Sequence, residues 1–387
     1  MKLSKEIKML LVNTVAHRFI AIYASIFVNL YVWMKDGALF DIALLNAITL
    51  GLWGLSYLWG TRLLYLWNNR GVMLLGACCS AVAFLLLPFG EGLPQITHIL
   101  LVGGALGLFQ GFYYSAKNIT LVQFGEEETF HAFFSAAAVI AQSVNLLAPI
   151  LSGLFIYVWG FHSSFFFMVL CSSILAITIL FIPYFSMSQK PYQPMKIGEA
   201  FRSPSLTWLG VSYVAGGFFR QFQSLFLIVF TFTVTQHEVW VALLNTLYVI
   251  LTILSIKVYK KMKRVSDIAW LYFGITVITL GYSFVFLGST FFLILANILT
   301  TIGMYYFNTI YVSQQFQILH RATFEERVHL FSWREVVTVT SRVLLLLIAM
   351  TMGAMEGVGF AVIMALAILC GFLVPYLQKK ALETKGS

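Results

Sequence analysis

Apolar runs long enough to cross a bilayer follow one another along almost the whole chain. A membrane-spanning helix needs about 20 mostly apolar residues. Twelve stretches qualify: 9–34, 40–61, 71–89, 95–116, 132–158, 163–185, 206–233, 239–257, 267–288, 290–315, 328–353 and 357–377. A soluble fold is excluded by composition, because only 10% of the 387 residues are charged and 60% are hydrophobic, where a soluble domain is about a quarter charged. The expectation is an all-α polytopic membrane protein. The first residues, MKLSKEIKMLLVNTVAHRF, are not expected to be a cleaved signal. His17 and Arg18 interrupt the apolar run, and no small-residue cleavage site follows.

The basic residues orient the chain. Nineteen of the 24 Lys and Arg fall in the two termini and in the loops on their side of the membrane. The opposite loops hold one, Lys35, and the remaining four (Arg18, Arg220, Arg334, Arg342) lie within spans. Positive charge stays on the cytoplasmic side, so both termini are expected there. The stretch KVYKKMKRVSD, 257–267, holds five of the nineteen. It reads as a topology determinant in contact with anionic lipid. The net charge of +9 is thus mostly topology, and no nucleic-acid partner is implied.

The chain repeats itself. TVAHRF (14–19) lines up with YVAGGF (213–218), and IALLN (42–46) with VALLN (241–245), both at an offset of 199. GFYYSAKNITLVQF (111–124) lines up with GMYYFNTIYVSQQF (303–316), at an offset of 192. Ordered matches at a near-constant offset mean two parallel halves. They are expected at 1–185 and 206–387, joined by a polar cytoplasmic linker at 186–205 that holds two prolines.

Twelve spans in six-plus-six parallel halves, with termini and central linker inside, resemble the major facilitator superfamily (MFS) over essentially the whole chain. The loop GTRLLYLWNNRGVML (60–74) keeps Gly60, Arg70 and Gly71 of that family's pattern and lacks its acid. The stretch GLFQG keeps Gln110 and Gly111, with Gly107 where proton-coupled members carry a basic residue. The resemblance implies alternating access, in which the halves rock around a site near the bilayer midplane.

Arg18 lies about 14 Å into the first span at 1.5 Å per residue, close to the midplane of a ~30 Å core. Facing lipid there would cost at least about 2.5–3.5 kcal/mol, so it should face the interior. Thr14, Arg18, Ala21, Ser25 and Asn29 share its helical face. At the offset of 199 these positions map onto a stripe in the seventh span that carries Arg220, flanked by Gln221 and Gln223. Two guanidiniums, one from each half, would present planar forks suited to carboxylate or phosphate. In this the chain resembles the organophosphate antiporters, which also place one arginine on each of those spans. The expected substrate-binding residues are Arg18, Arg220, His17, Gln110, Tyr114, Asn145, Gln223 and Arg342. Gln110, Tyr114 and Lys117 share a face of span four. Glu335 and His17 are the proton-coupling candidates, since burial moves a carboxyl toward neutrality and imidazole titrates near pH 6.5. A buried pair of Glu335 with Arg334 or Arg342 is the competing account, and for His17 a hydrogen bond to a neighbouring helix.

No phosphate-binding loop, paired carboxylates or metal-ligand cluster is recognisable, so neither an enzyme nor a cofactor or metal is expected. Cys78, Cys79, Cys171 and Cys370 all lie within apolar stretches. The expected function is secondary active transport of a small organic anion by proton coupling or exchange, by a monomer in a bacterial plasma membrane. The alternative is a lipid-linked flippase or a multidrug-type exporter of amphipathic compounds. Cationic drugs are disfavoured, because away from the span ends the in-span charges are four arginines against Glu335. A non-transporting sensor is the alternative from another class.

Topology is testable directly. Single cysteines at Lys35, Gly92 and His237 are expected to react with an impermeant thiol reagent added outside intact cells, whereas cysteines at Lys196 and Lys261 are not. The reverse labelling pattern would invert the orientation.

Overall fold

The computed structural model describes residues 5–90, 92–124, 127–187, 197–235, 237–262, 266–319, 324–353 and 355–384. Most of the expected linker (188–196) and part of the basic run (263–265) lie outside these residues. Regular structure among them is helical, apart from one isolated bridge between Asn68 and Ser186. The helices are α1 (Lys5–Tyr23), α2 (Asn29–Asp36), α3 (Leu39–Leu66), α4 (Asn69–Phe89), α5 (Gln95–Phe124), α6 (Glu127–Ile179), α7 (Ile197–Ala200), α8 (Pro204–Val234), α9 (Glu238–Lys261), α10 (Asp267–Ser283), α11 (Thr290–Leu319), α12 (Phe324–Met350) and α13 (Gly357–Glu383).

Ten helices among the described residues are long and apolar enough to cross a membrane. Helices dominate because backbone polar groups find no water in hydrocarbon and must pair within their own segment. Two features separate ten from the twelve expected runs. First, α6 is broken at Gly160, whose φ of 75° an L side chain rarely adopts, so 127–159 and 161–179 are separate arms. Second, α12 has the length but carries Arg334, Glu335 and Arg342.

The backbone divides into two compact units, Met1–Gly37 with Asp41–Pro194 and Met195–Ser387 with Ala38–Phe40. In the first, α1 packs on α6, and α4 packs on both α5 and α6. In the second, α8 packs on α12 and α13, and α10 on α11. The same helix pair closes on glycine in each unit. A Cβ on Gly76 of α4 would stand 3.1 Å from the Phe109 carbonyl of α5. A Cβ on Gly303 of α11 would stand 2.5 Å from the Gly274 carbonyl of α10. Small residues let helices approach where water supplies no hydrophobic drive. The apolar faces turned outward suit lipid: Val362, Leu366, Leu369 and Leu373 of α13 are all exposed.

The first span is not a continuous α-helix. A π-turn, Ala24–Val28, separates α1 from α2. One extra residue per turn rotates everything after it, so the stripe expected through Ser25 and Asn29 does not continue. Asn29 is 3% exposed and accepts a hydrogen bond from Asn46 Nδ2 at 2.7 Å.

Gly303→Ala is expected to cost about 1–3 kcal/mol, the range for overpacking a tight core, because the atom it meets is backbone and cannot rotate away. Purified protein should melt several degrees lower. Gly51→Ala, which meets nothing within 4 Å, should melt no lower than wild type, and equal melting of the two variants would refute the contact.

Candidate functional site

In the first unit the polar residues of α1 reach two other helices. The His17 ring is 1% exposed and stacks on Tyr113 with centroids 3.7 Å apart. Its Nε2 donates to Gln110 Oε1 at 3.1 Å, because that carbonyl oxygen can only accept. Tyr113 OH donates to Asn13 Oδ1 at 2.6 Å, and Asn13 Nδ2 donates to Thr178 Oγ1 at 2.9 Å. This chain runs from α5 through α1 to α6. Beside it, His17 makes the hydrogen bond to a neighbouring helix that was one of the two alternatives for it.

Arg18 points elsewhere. Its Nε donates to Asn145 Oδ1 on α6 at 2.9 Å. No carboxylate pairs with it among the described residues. With Nε engaged, the terminal Nη1 and Nη2 edge is the one that can grip a planar anion. Asn145 sits where α6 is weakened, since Pro149 has no N–H to offer the carbonyl four residues before it. Tyr114 lies between these groups. It stacks on Trp53 of α3 at 5.3 Å and meets the His17 ring edge-on at 4.9 Å. Lys117, counted with the cytoplasmic loops on sequence, lies within α5 instead. Its Nζ is 5.5 Å from the Tyr114 centroid and 5.9 Å from that of Tyr113.

The second unit repeats the device with the residue types exchanged. Arg342 of α12 donates from Nε to Gln221 Oε1 of α8 at 2.8 Å. In each unit, then, a guanidinium–amide hydrogen bond ties the first long helix to the fifth. The arginine is on the first helix in one unit and on the fifth in the other. Gln221 lies one turn beyond Gly217, the residue that the offset of 199 sets opposite Arg18, so the structural register differs from the sequence register by a turn. Arg220 is held over the Tyr311 ring at 5.8 Å. Arg334 Nη2 and Glu335 Oε1 are 2.6 Å apart, which resolves the choice of partner for Glu335 in favour of Arg334 over Arg342.

Gln223 is not brought to this cluster. It is 4% exposed and accepts from Tyr282 OH at 2.6 Å. On a helix, positions two apart point about 200° apart, so Gln221 and Gln223 serve different neighbours. The sequence placed Gln110 by helical spacing and named Asn145 and Arg342 among the expected binding residues. It missed Gln221 as a partner, the stacking of Trp53, and the interior position of Lys117. The cue for Lys117 was present, because three residues separate it from Tyr114 on a shared face.

The sequence matches the Major Facilitator Superfamily over residues 14–344. A protein of Geobacillus stearothermophilus described as "Uncharacterized protein in sodM 3'region" is 31% identical over 131 residues, which are 34% of this chain and 60% of that protein. The match thus spans under two thirds of that relative's length. A solved POT family transporter in complex with 5-aminolevulinic acid superposes with a TM-score of 0.68 at 13% identity, covering 96% of this chain and 94% of the other. A bacterial homologue of the iron transporter ferroportin in an inward-facing state gives 0.69 at 15% identity, covering 98% and 99%. At such identities the likeness is one of fold, and it agrees with the long apolar helices. With its sequence matching across most of its length, this multi-pass membrane protein belongs to the Major Facilitator Superfamily.

Proposed function

We propose that the protein is a secondary active transporter that moves a small organic anion, bearing carboxylate or phosphate, through the bacterial plasma membrane by alternating access, with exchange or proton coupling. The observation that carries this reading is the state of Arg18. It is set in the first span with its Nε taken by Asn145, and no described carboxylate neutralises it. A charge held in a low-dielectric site is costly unless something pairs with it. An anion that binds and leaves would supply that pairing during the cycle. Arg220 repeats the situation in the second half, held over an aromatic face rather than by an acid.

The rest of the reading follows the family pattern. The arms of α6 on either side of Gly160 count as two spans and α12 as another, which makes twelve, with both termini and the 186–205 linker cytoplasmic. The halves are 1–185 and 206–387. A divalent-cation substrate has less support. Among the described residues no group of three or more His, Cys, Asp or Glu stands together, and the deep charges are cationic.

Two measurements test this. In liposomes, Arg18→Ala and Arg220→Ala are each expected to abolish anion uptake while the protein still inserts and purifies as a folded species. Arg→Lys at either position should weaken binding, because the charge stays and the fork is lost. Normal uptake by both alanine variants would make the arginines structural. For coupling, Glu335→Gln is expected to stop accumulation driven by a pH gradient and to leave counterflow exchange intact. Loss of both, with a lowered melting temperature, would assign Glu335 to its ion pair with Arg334 alone.

A further inference from the structure

Each unit holds one more cation than a singly charged substrate would require. In the first, Arg18 and Lys117 lie within electrostatic reach of each other, and neither has a carboxylate partner among the described residues. In the second, Arg220 and Arg342 are in reach of each other, with Glu335 nearby, but that carboxylate is gripped by Arg334 at 2.6 Å. Lys117 is the informative member. It follows the last residue of the fourth apolar run, 95–116, close enough to a span end to extend outward, as lysines there do. It does the opposite. Its ammonium folds back over Tyr114 and Tyr113, three and four residues earlier in the helix, toward the neighbourhood of Arg18 and His17. A cation–π contact stabilises an ammonium by less than desolvating the ion costs. The tyrosines hold the side chain in place without neutralising it.

We propose that the transported anion carries two negative charges on one head group or on neighbouring groups, as a phosphate monoester or a dicarboxylate does, and that Lys117 is a second ligand for it beside Arg18. This rests on the anion reading above and adds to it the charge of the substrate and a residue. The division of labour follows from side-chain shape. The Arg18 fork, positioned by Asn145, grips two oxygens in a plane. The Lys117 ammonium is a compact charge on a flexible stem and can swing from the tyrosine faces to the second negative group.

The test compares probes that share a shape and differ in charge. Binding of phenyl phosphate and methyl phenyl phosphate to the purified protein is measured by ligand-induced thermal stabilisation and by competition. A phosphate monoester loses its second proton with a pKa of about 6 and is a dianion at about pH 8, whereas the diester stays singly charged. Phthalate and benzoate form a parallel carboxylate pair. The expected result is that at least one dianion binds roughly tenfold or more tighter than its monoanionic partner. For the phosphate pair the preference should fade at about pH 5, where the monoester is protonated. Lys117→Gln should erase the preference and Lys117→Arg should keep it. Equal binding of dianion and monoanion by wild type overturns the inference and leaves the anion reading in place. So does an unchanged preference in folded Lys117→Gln. Should that variant fail to fold, the wild-type comparison decides alone. If none of the four anions binds while the cation tetraphenylphosphonium does, the anion reading and this inference fall together.

Discussion

A guanidinium set within a long apolar helix is costly where it faces lipid, so its place depends on groups that other helices bring to it. In this protein a neutral amide on a separate helix meets that requirement for Arg18 and, in the other unit, for Arg342. An amide oxygen is a weaker partner than a carboxylate. It fixes the position of the guanidinium through one donor and leaves the charge uncompensated. Had aspartate stood at Asn145, the pair would have been closed and the cation unavailable to anything else. On the proposed reading, the amide in place of an acid leaves the guanidinium available to an anion.

Other contacts keep that site in register. The His17–Tyr113 stack and the Tyr113–Asn13–Thr178 hydrogen bonds lock α1 to α5 and α6 on one face, so that Arg18 is presented on the next. Glycines bring α4 against α5 and α10 against α11 at backbone distance, which stiffens each unit around its polar residues. The irregular features lie close to the site. The π-turn begins six residues after Arg18 and Pro149 lies four residues after Asn145. Both are places where helical hydrogen bonding is weakened, and such places absorb the backbone change that a moving helix requires.

The two units share an interaction that their sequence alignment does not show. The guanidinium–amide bond recurs, but the arginine and the amide have changed places and the register has moved by a turn. What is shared is the interaction, with the side chains that make it free to trade sides. A residue-by-residue alignment could not find this, since it sets Arg18 opposite Gly217 and Arg220 opposite Ala21.

Much was legible in the chain itself. Hydropathy and the scarcity of charge dictated membrane-crossing helices, because backbone groups in hydrocarbon have one local way to pair. The position of Arg18 within an apolar run dictated that it face protein, and 3.6-residue spacing placed Gln110 and Tyr114 on one face of span four. These are properties of single helices, computable from rise and period. Which residue on one helix meets which on another was decided only by tertiary packing. That Asn145 takes Nε of Arg18, that Gln221 and not Gln223 serves Arg342, that Arg334 claims Glu335 and that Lys117 folds inward all depend on helix rotation and crossing. Rotation is set by close glycine contacts and, in the first span, by a π-turn that shifts the stripe. None of these has a local sequence period, so a linear reading has no term for them.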